Sequence, residues 1–517
     1  MPRGRRLQRS GPAARPSGRE NPGRENPGRE NPGRENPGRE NPGRENPGRE
    51  NPLARHLPVE VVMNARRIAW RAGSILTVIA AVCASASMPA SASAPAAATA
   101  AATWGVLGPR NIPSFTPGVP AGAGKLQAFA VDLRKPSLMY AGGGIGPGDS
   151  GPSSGAGIFK STDAGHAWVP ADAGVGDPMV DALWMDQAKP WILLAGTWTR
   201  GIYRTTNGGA RWRLVRDARW STRAFVSLGP ALYAATSRGI AESTNAGATW
   251  RIVRSTPSPV GALAASGHAL YAGLDDGDVL LRRSPGSPWV SVFRDGGRNV
   301  WSIAADPADP ANALVVEFFN YETPDLYRTT DGGASWSSVS LPGNAPAQVI
   351  AYDQTDPSIV YAGFDGGIAV SNDGGATWGA GPIGSFDTRF LYSWPSRSGT
   401  LVVGSDQGLY LTSDGGATWT GLNQGISSSL LTGLAVSGSS IMTAVQDYSP
   451  IMSTDGGATW AQEPVGEDGG VAFAPGNPQM VYEWTTAGFT SSSNGANRSP
   501  SRARRPRASS RSLARAT

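Results

Sequence analysis

An eight-residue phrase, Ser/Thr-x-Asp/Asn-Gly/Ala-Gly-x-x-Trp, recurs along this chain and constrains everything it can fold into. Clean copies occupy 161–168, 205–212, 243–250, 329–336, 371–378, 412–419 and 453–460, and degenerate copies sit at 282–289 and 491–498. The successive tryptophans from Trp168 to Trp460 are 44, 38, 39, 47, 42, 41 and 41 residues apart. A period near 40 describes a unit that cannot bury its apolar face alone. Such units must stack on their neighbours as a solenoid or a radial array.

Each phrase ends a repeated passage. Tyr140-Ala-Gly and Gly157-Ile-Phe-Lys precede the first copy, and Tyr361-Ala-Gly and Gly367-Ile-Ala-Val precede another. Further upstream lie runs such as Ala128-Phe-Ala-Val-Asp and Val349-Ile-Ala-Tyr-Asp. Short β-branched and aromatic runs between Gly/Asp/Asn clusters read as strands joined by tight turns. The count is four strands per unit, the size of one β-propeller blade. Inside the box, the Asp or Asn (Asp163, Asn207, Asn245, Asp331, Asp373, Asp414, Asp455) can accept N–H bonds from its own turn. The Gly pair supplies positive φ, and the Trp carries a large ring to bury beside the next blade. These acids are therefore assigned to structure, not chemistry.

On these motifs the chain resembles the Asp-box, or bacterial neuraminidase repeat, superfamily of sialidases, xyloglucanase-type glycoside hydrolases, sortilin-like receptors and photosystem II assembly factors. The resemblance covers Trp104 to Gly495. It implies an all-β fold, a single propeller of four-stranded blades, about eight and between seven and nine, with the boxes on the rim away from any substrate. A ring followed by part of a second one, as in xyloglucanases, is the alternative. Residues Ala102-Thr-Trp104-Gly-Val-Leu107 resemble the strand after a box and are expected to clasp the last blade.

Composition divides the chain. The net charge of +6 invites a nucleic-acid reading, but residues 95–490 hold 23 basic and 32 acidic residues. A net-acidic folded part argues against a phosphate-backbone partner. Seven copies of Gly-Arg-Glu-Asn-Pro fill 18–52 and offer no apolar side chain to bury, so 1–62 reads as disordered low-complexity sequence. Met63 opens a basic, apolar, Ala-x-Ala passage with the grammar of a secretory leader over 63–94. An Ala/Pro linker (95–102), the propeller (103–495) and a basic tail (496–517) follow. The leader's apolar run is too short to span a bilayer comfortably, so a secreted, monomeric protein without a stable membrane span is expected. The only cysteine, Cys83, lies in the leader, which leaves the mature chain without disulfides or thiolate metal sites.

Chemistry is less legible. A glycosidase needs two carboxyls across a cleft. The nearest string to a sialidase opening motif, Pro109-Arg-Asn-Ile-Pro113, departs from it, and the stretch where the resemblance would place a xyloglucanase acid offers only Asp149. Outside the boxes, carboxyls and aromatics near the first strands are the candidates: Asp181, Asp186, Glu317, Tyr321 and Glu322 as catalytic groups, and Trp184, Arg223, Trp301 and Arg389 as ligand contacts. The competing reading makes Trp184 and Trp301 inter-blade core. His166 and His268 are isolated, and the Gly-Gly pairs are turns, so no metal and no nucleotide cofactor are expected. The sequence thus favours an exported binding or scaffold module for a glycan or an extracytoplasmic protein. The rivals are a secreted glycoside hydrolase and an assembly factor.

Overall fold

The computed structural model describes residues 124–493, apart from 146–153, 217–219, 295–296, 319–324, 365–366, 385–387, 427–430, 446–447, 463–468 and 486–487. The expected leader, linker, tail, Trp104 clasp and low-complexity segment lie outside these residues, as do Asp149, Tyr321 and Glu322. Among the described residues nine antiparallel sheets form, eight of four strands and one of three, each joining its strands in chain order. They span 128–170, 180–216, 222–254, 260–294, 299–339, 347–384, 388–421, 431–462 and 470–492, and are numbered sheets 1 to 9. The described residues contain no α-helix, only one 3-10 turn at Pro342–Asn344.

A gradient of burial runs across each sheet. In sheet 2 the second strand, Leu193–Thr197, is buried throughout, while the fourth, Arg213–Arg216, is largely exposed. First strands of successive sheets lie side by side from sheet 1 to sheet 7. The box turn joining the third and fourth strands is held from within. In 371–378, Ser371 Oγ donates to Asp373 Oδ1 (2.8 Å) and accepts from the N–H of Gly375 (2.8 Å). Asp373 Oδ1 in turn accepts from the N–H of Thr377 at 2.8 Å. The same three bonds recur at Asp163, Asn207, Asn245, Asp331, Asp414 and Asp455. Both middle residues of the turn are left-handed (Gly374 φ 68°, Gly375 φ 86°), and Ala164 and Ala246 tolerate the first position at 61° and 52°.

Three box tryptophans, Trp168, Trp212 and Trp336, bond the sheet before their own. Trp212 is fully buried, and its backbone N–H donates to Ala173 O (2.8 Å) and its indole to Ala171 O (2.7 Å), both in the connector leaving sheet 1. The backbone half of this weld also joins sheet 1 to sheet 7, since the Trp168 N–H donates to Gln424 O at 2.9 Å, while its indole donates to Gly165 O of its own turn. Leu126 N–H adds a bond to Ser405 O at 3.0 Å, and Phe129 stacks near Phe390 (6.2 Å) and Tyr392 (5.3 Å) in one shared core. Glycine permits the approach: a Cβ at Gly404 would fall 2.6 Å from Leu126 O.

The ring therefore closes on seven sheets, the lower end of the expected range. Sheets 8 and 9 pack on each other, with small cores of their own (Val445 and Ile451; Met442, Met452 and Val481) that include no ring residue. Of the large apolar side chains left exposed, Leu431, Leu434, Val436, Trp484 and Phe489 all belong to this pair. A central expectation of eight arose because a box marks a sheet and carries no record of which stack the sheet joins.

Candidate functional site

Where each first strand begins, one extra residue is inserted against the second strand. The register shifts between Val180 and Ala182, Val260 and Ala262, Val300 and Ser302, Ala347 and Val349, and Thr388 and Phe390. In sheet 3, Thr222 pairs with Thr236 and Ala224 with Ala235, which strands Arg223 in the same way. The inserted residues are Asp181, Arg223, Gly261, Trp301, Gln348 and Arg389, and Gln127 holds the corresponding place before sheet 1. A β-bulge re-aims the side chain it carries. Seven neighbouring sheets thus present seven equivalent positions in a row around the inner end of the ring, six of them with a side chain and one a glycine, Gly261.

Adjacent members of this row interact. Gln127 Nε2 donates to Asp181 Oδ1 at 2.6 Å across sheets 1 and 2. Burial pushes the Asp181 carboxyl up to about 8, against the opposing pull of the Arg223 and Lys125 charges, while Asp177 adds to the rise. Arg223 Nη1 is 2.7 Å from Asp275 Oδ1, and its guanidinium centre lies 4.8 Å from the Trp198 ring centre. That ion pair lies over Gly261, where a Cβ would come within 3.5 Å of Nη1 and 3.2 Å of Asp275 Oδ1. In sheet 7, Arg389 grips Asp406 with both Nε (2.5 Å) and Nη2 (2.6 Å), and Lys125 Nζ stands 3.7 Å from the same carboxylate. Asp177 is occupied by the N–H (2.8 Å) and hydroxyl (2.7 Å) of Thr199. Trp301 remains 42 % exposed.

The sequence candidates divide accordingly. Asp181, Arg223, Trp301 and Arg389 share the row. Glu317 is fully buried on Ala313–Phe318, opposite Val300, with Oε1 directed toward Gly277 of the neighbouring connector. Asp186 sits at the far end of its strand, where Oδ1 accepts from the N–H groups of Ala188 (2.9 Å) and Lys189 (3.1 Å) and holds a turn. Trp184 is half-buried between sheets 2 and 3, its indole donating to Ser227 Oγ at 2.9 Å, as the inter-blade reading has it. Gln127, Gln348, Asp275, Asp406, Lys125 and Trp198 were not among the candidates. Aligning the first strands would have exposed Gln127 and Gln348, because the residue between Leu126 and Ala128 is the residue between Val180 and Ala182. The connector acids carry no comparable signal.

No protein-family model matches the chain, and no curated protein matches it in sequence. Among solved structures, an ancestral GH74 enzyme aligns at 18% identity with a TM-score of 0.56, over 72% of this chain and 59% of that one. The chain therefore spans under two thirds of that enzyme's length. The GH74 enzyme of Niastella koreensis aligns at 18% identity and TM-score 0.40, over 72% of this chain and 70% of its own. YCF48 from Cyanidioschyzon merolae aligns at 14% identity and TM-score 0.45, over 59% of this chain and 98% of its own. The first of these likenesses, at 18% identity, establishes the β-propeller fold and nothing of the chemistry. No helix among the described residues is long and apolar enough to cross a membrane.

Proposed function

We propose that this chain is an exported Asp-box propeller that binds a glycan or protein partner, as a single chain, at the bulge row of its seven-sheet ring. One observation carries the reading: the row varies from Asp to Arg, Gly, Trp and Gln on a repeated backbone, while the carboxylates around it are tied down. Asp275 is held by Arg223, Asp406 by Arg389 and Asp177 by Thr199. Carboxylates so engaged are poor nucleophiles or bases, but the pairs fix donors and acceptors in a rigid pattern suited to recognition. Export rests on the leader at 63–94.

Glycoside hydrolysis is the second reading, favoured by Asp181. A carboxyl pushed up to about 8 keeps its proton at neutral pH, as a general acid requires. Both readings meet in one experiment: a glycan-array screen of the full chain beside turnover assays on fluorogenic sialosides and xyloglucan. Binding without turnover supports the first. Turnover that Asp181→Asn abolishes overturns it in favour of the second.

A further inference from the structure

Charge is spread unevenly around the ring. Residues 200–298 hold 14 arginines and 6 acids, which leaves 9 basic residues against 26 acids for the rest of 95–490. The excess has a definite place in the fold. The fourth strands of sheets 2 and 3 read Arg213-Leu-Val-Arg216 and Arg251-Ile-Val-Arg254, and that of sheet 4 ends in Arg294. The fourth strands of the other ring sheets, Val169–Pro170, Ser337–Val339, Gly379–Gly384 and Thr420–Gly421, carry no charge.

Strand pairing aligns these arginines. Arg213 lies opposite Arg204, Leu214 opposite Tyr203 and Arg216 opposite Ile202, so Val215 is the inserted residue. Arg251, Ile252 and Arg254 repeat that register on Glu242, Ala241 and Ile240. The insertion brings both arginines of each strand to one face. All of them, with Arg294, are exposed on the last strand of three neighbouring sheets. Arg251 is paired with Glu242, and Arg294 with Asp278 at 2.8 Å. Among the described residues no carboxylate pairs with Arg211, Arg213, Arg216 or Arg254. Sheet 2 even sets Arg204 directly opposite Arg213, like charges whose repulsion an anion laid across them would relieve.

Charges on edge strands also keep sheets from pairing edge to edge. Either sign meets that need, and the long edge Gly379–Gly384 has a proline instead. Edge protection therefore does not account for one sign on three adjacent sheets. Guanidinium groups grip carboxylates at two points. The outer edge of a closed ring is convex, so an extended chain can follow it from sheet to sheet, whereas a flat bilayer or a broad rod would meet the acidic remainder. An Arg-x-x-Arg repeated at one register suits a polymer whose charges recur at a fixed interval, as those of a uronic-acid chain do. We propose that the outer rim of sheets 2 to 4 is a docking surface for an anionic polysaccharide, its carboxylates taken by Arg213, Arg216 and Arg254. This surface is separate from the bulge row, and neither reading needs the other.

The test titrates the full chain with polygalacturonate, poly-glutamate, duplex DNA and phosphatidylglycerol vesicles by calorimetry. Polygalacturonate is expected to bind most tightly and to weaken as salt rises. Arg213→Gln, Arg216→Gln and Arg254→Gln combined should weaken it about tenfold, whereas Lys135→Gln, Lys189→Gln and Arg397→Gln, the same charge removed from elsewhere, should change it less than about twofold. Both comparisons are repeated with the seven arginines of 496–517 replaced by Gln, so that the tail cannot carry the binding. Circular dichroism checks folding. If the rim triple variant is unfolded, Arg213→Gln with Arg254→Gln spares the Arg216 guanidinium that lies 4.5 Å from the Trp220 ring centre. No polygalacturonate bound by folded wild-type chain, equal losses in the rim and control variants, or another probe bound more tightly would each overturn the surface. Aggregation of the rim variant with unchanged polygalacturonate affinity would also overturn it, assigning the arginines to edge protection. None of these outcomes touches the bulge row, to which none of the substituted residues belongs.

Discussion

The box turns and the bulge row repeat with the same regularity, yet they treat carboxylates in opposite ways. In the boxes the acid is exposed but saturated with short bonds. Side-chain bonds from Ser335, Thr377, Thr418 and Thr459, seconded by backbone N–H groups, pull Asp331, Asp373, Asp414 and Asp455 down to about 2. In the row, Asp181 has one bond and deep surroundings, and rises to about 8. Where backbone geometry needs a particular side chain, the residue is held to Asp or Asn in every clean box. Where the backbone only needs an extra residue, the side chain is free to differ, and that is where recognition can be written.

The contrast can be broken from either side. The heaviest loss should come from the welds: Trp212→Ala deletes a fully buried ring and its indole bond to Ala171 O, costing about 3–5 kcal/mol in denaturant unfolding. Gly404→Ala should follow at about 1–3 kcal/mol, since a Cβ there would fall 1.9 Å from Phe390 Cε1 at the ring's closing junction. Ser371→Ala strips a buried hydroxyl from its turn and leaves the Gly375 N–H without its acceptor, about 1–2 kcal/mol by thermal melt. Trp301→Ala should move stability by no more than about 0.5 kcal/mol. A large destabilisation there would mean that the row is core and not a presenting surface.

Acidity gives a sharper version of the same comparison. The box acids have folded values below the ordinary 3.8, so their contribution is present above that value and is lost as pH falls through about 2. Asp181 has a folded value above 3.8, so its contribution is present in acid and is lost as pH rises through about 8. Melting temperature measured against pH should therefore slope downward between about 4 and 8 in the wild type, and Asp181→Asn should flatten that slope. An unchanged slope in the variant would show that Asp181 ionises normally.

Much of this was legible in the chain because it depends on local chemistry. Ser371, Asp373 and Gly375 specify their turn within five residues, so the box announces itself. Asp181, Arg223, Trp301 and Arg389 were found as charged or aromatic residues in first strands, without the reason that unites them. Their common position is a register shift against the partner strand, a property of pairing between segments about 16 residues apart. The Arg389–Asp406 grip and the Arg223–Asp275 pair join segments 17 and 52 residues apart, a relation no local pattern encodes. Ring size was equally hidden: it depends on how Phe129 meets Phe390 and Tyr392, not on how many boxes follow.

Sheet 1 takes its four strands from 128–170 and sheet 7 its four from 388–421, so the circle is completed without either borrowing from the other. Its last joint repeats the backbone bond of the first, a tryptophan N–H on a carbonyl of the preceding connector. A rearranged gene that began at Val260 and joined the old ends through a linker would cut no sheet in two, because the wheel has no privileged spoke.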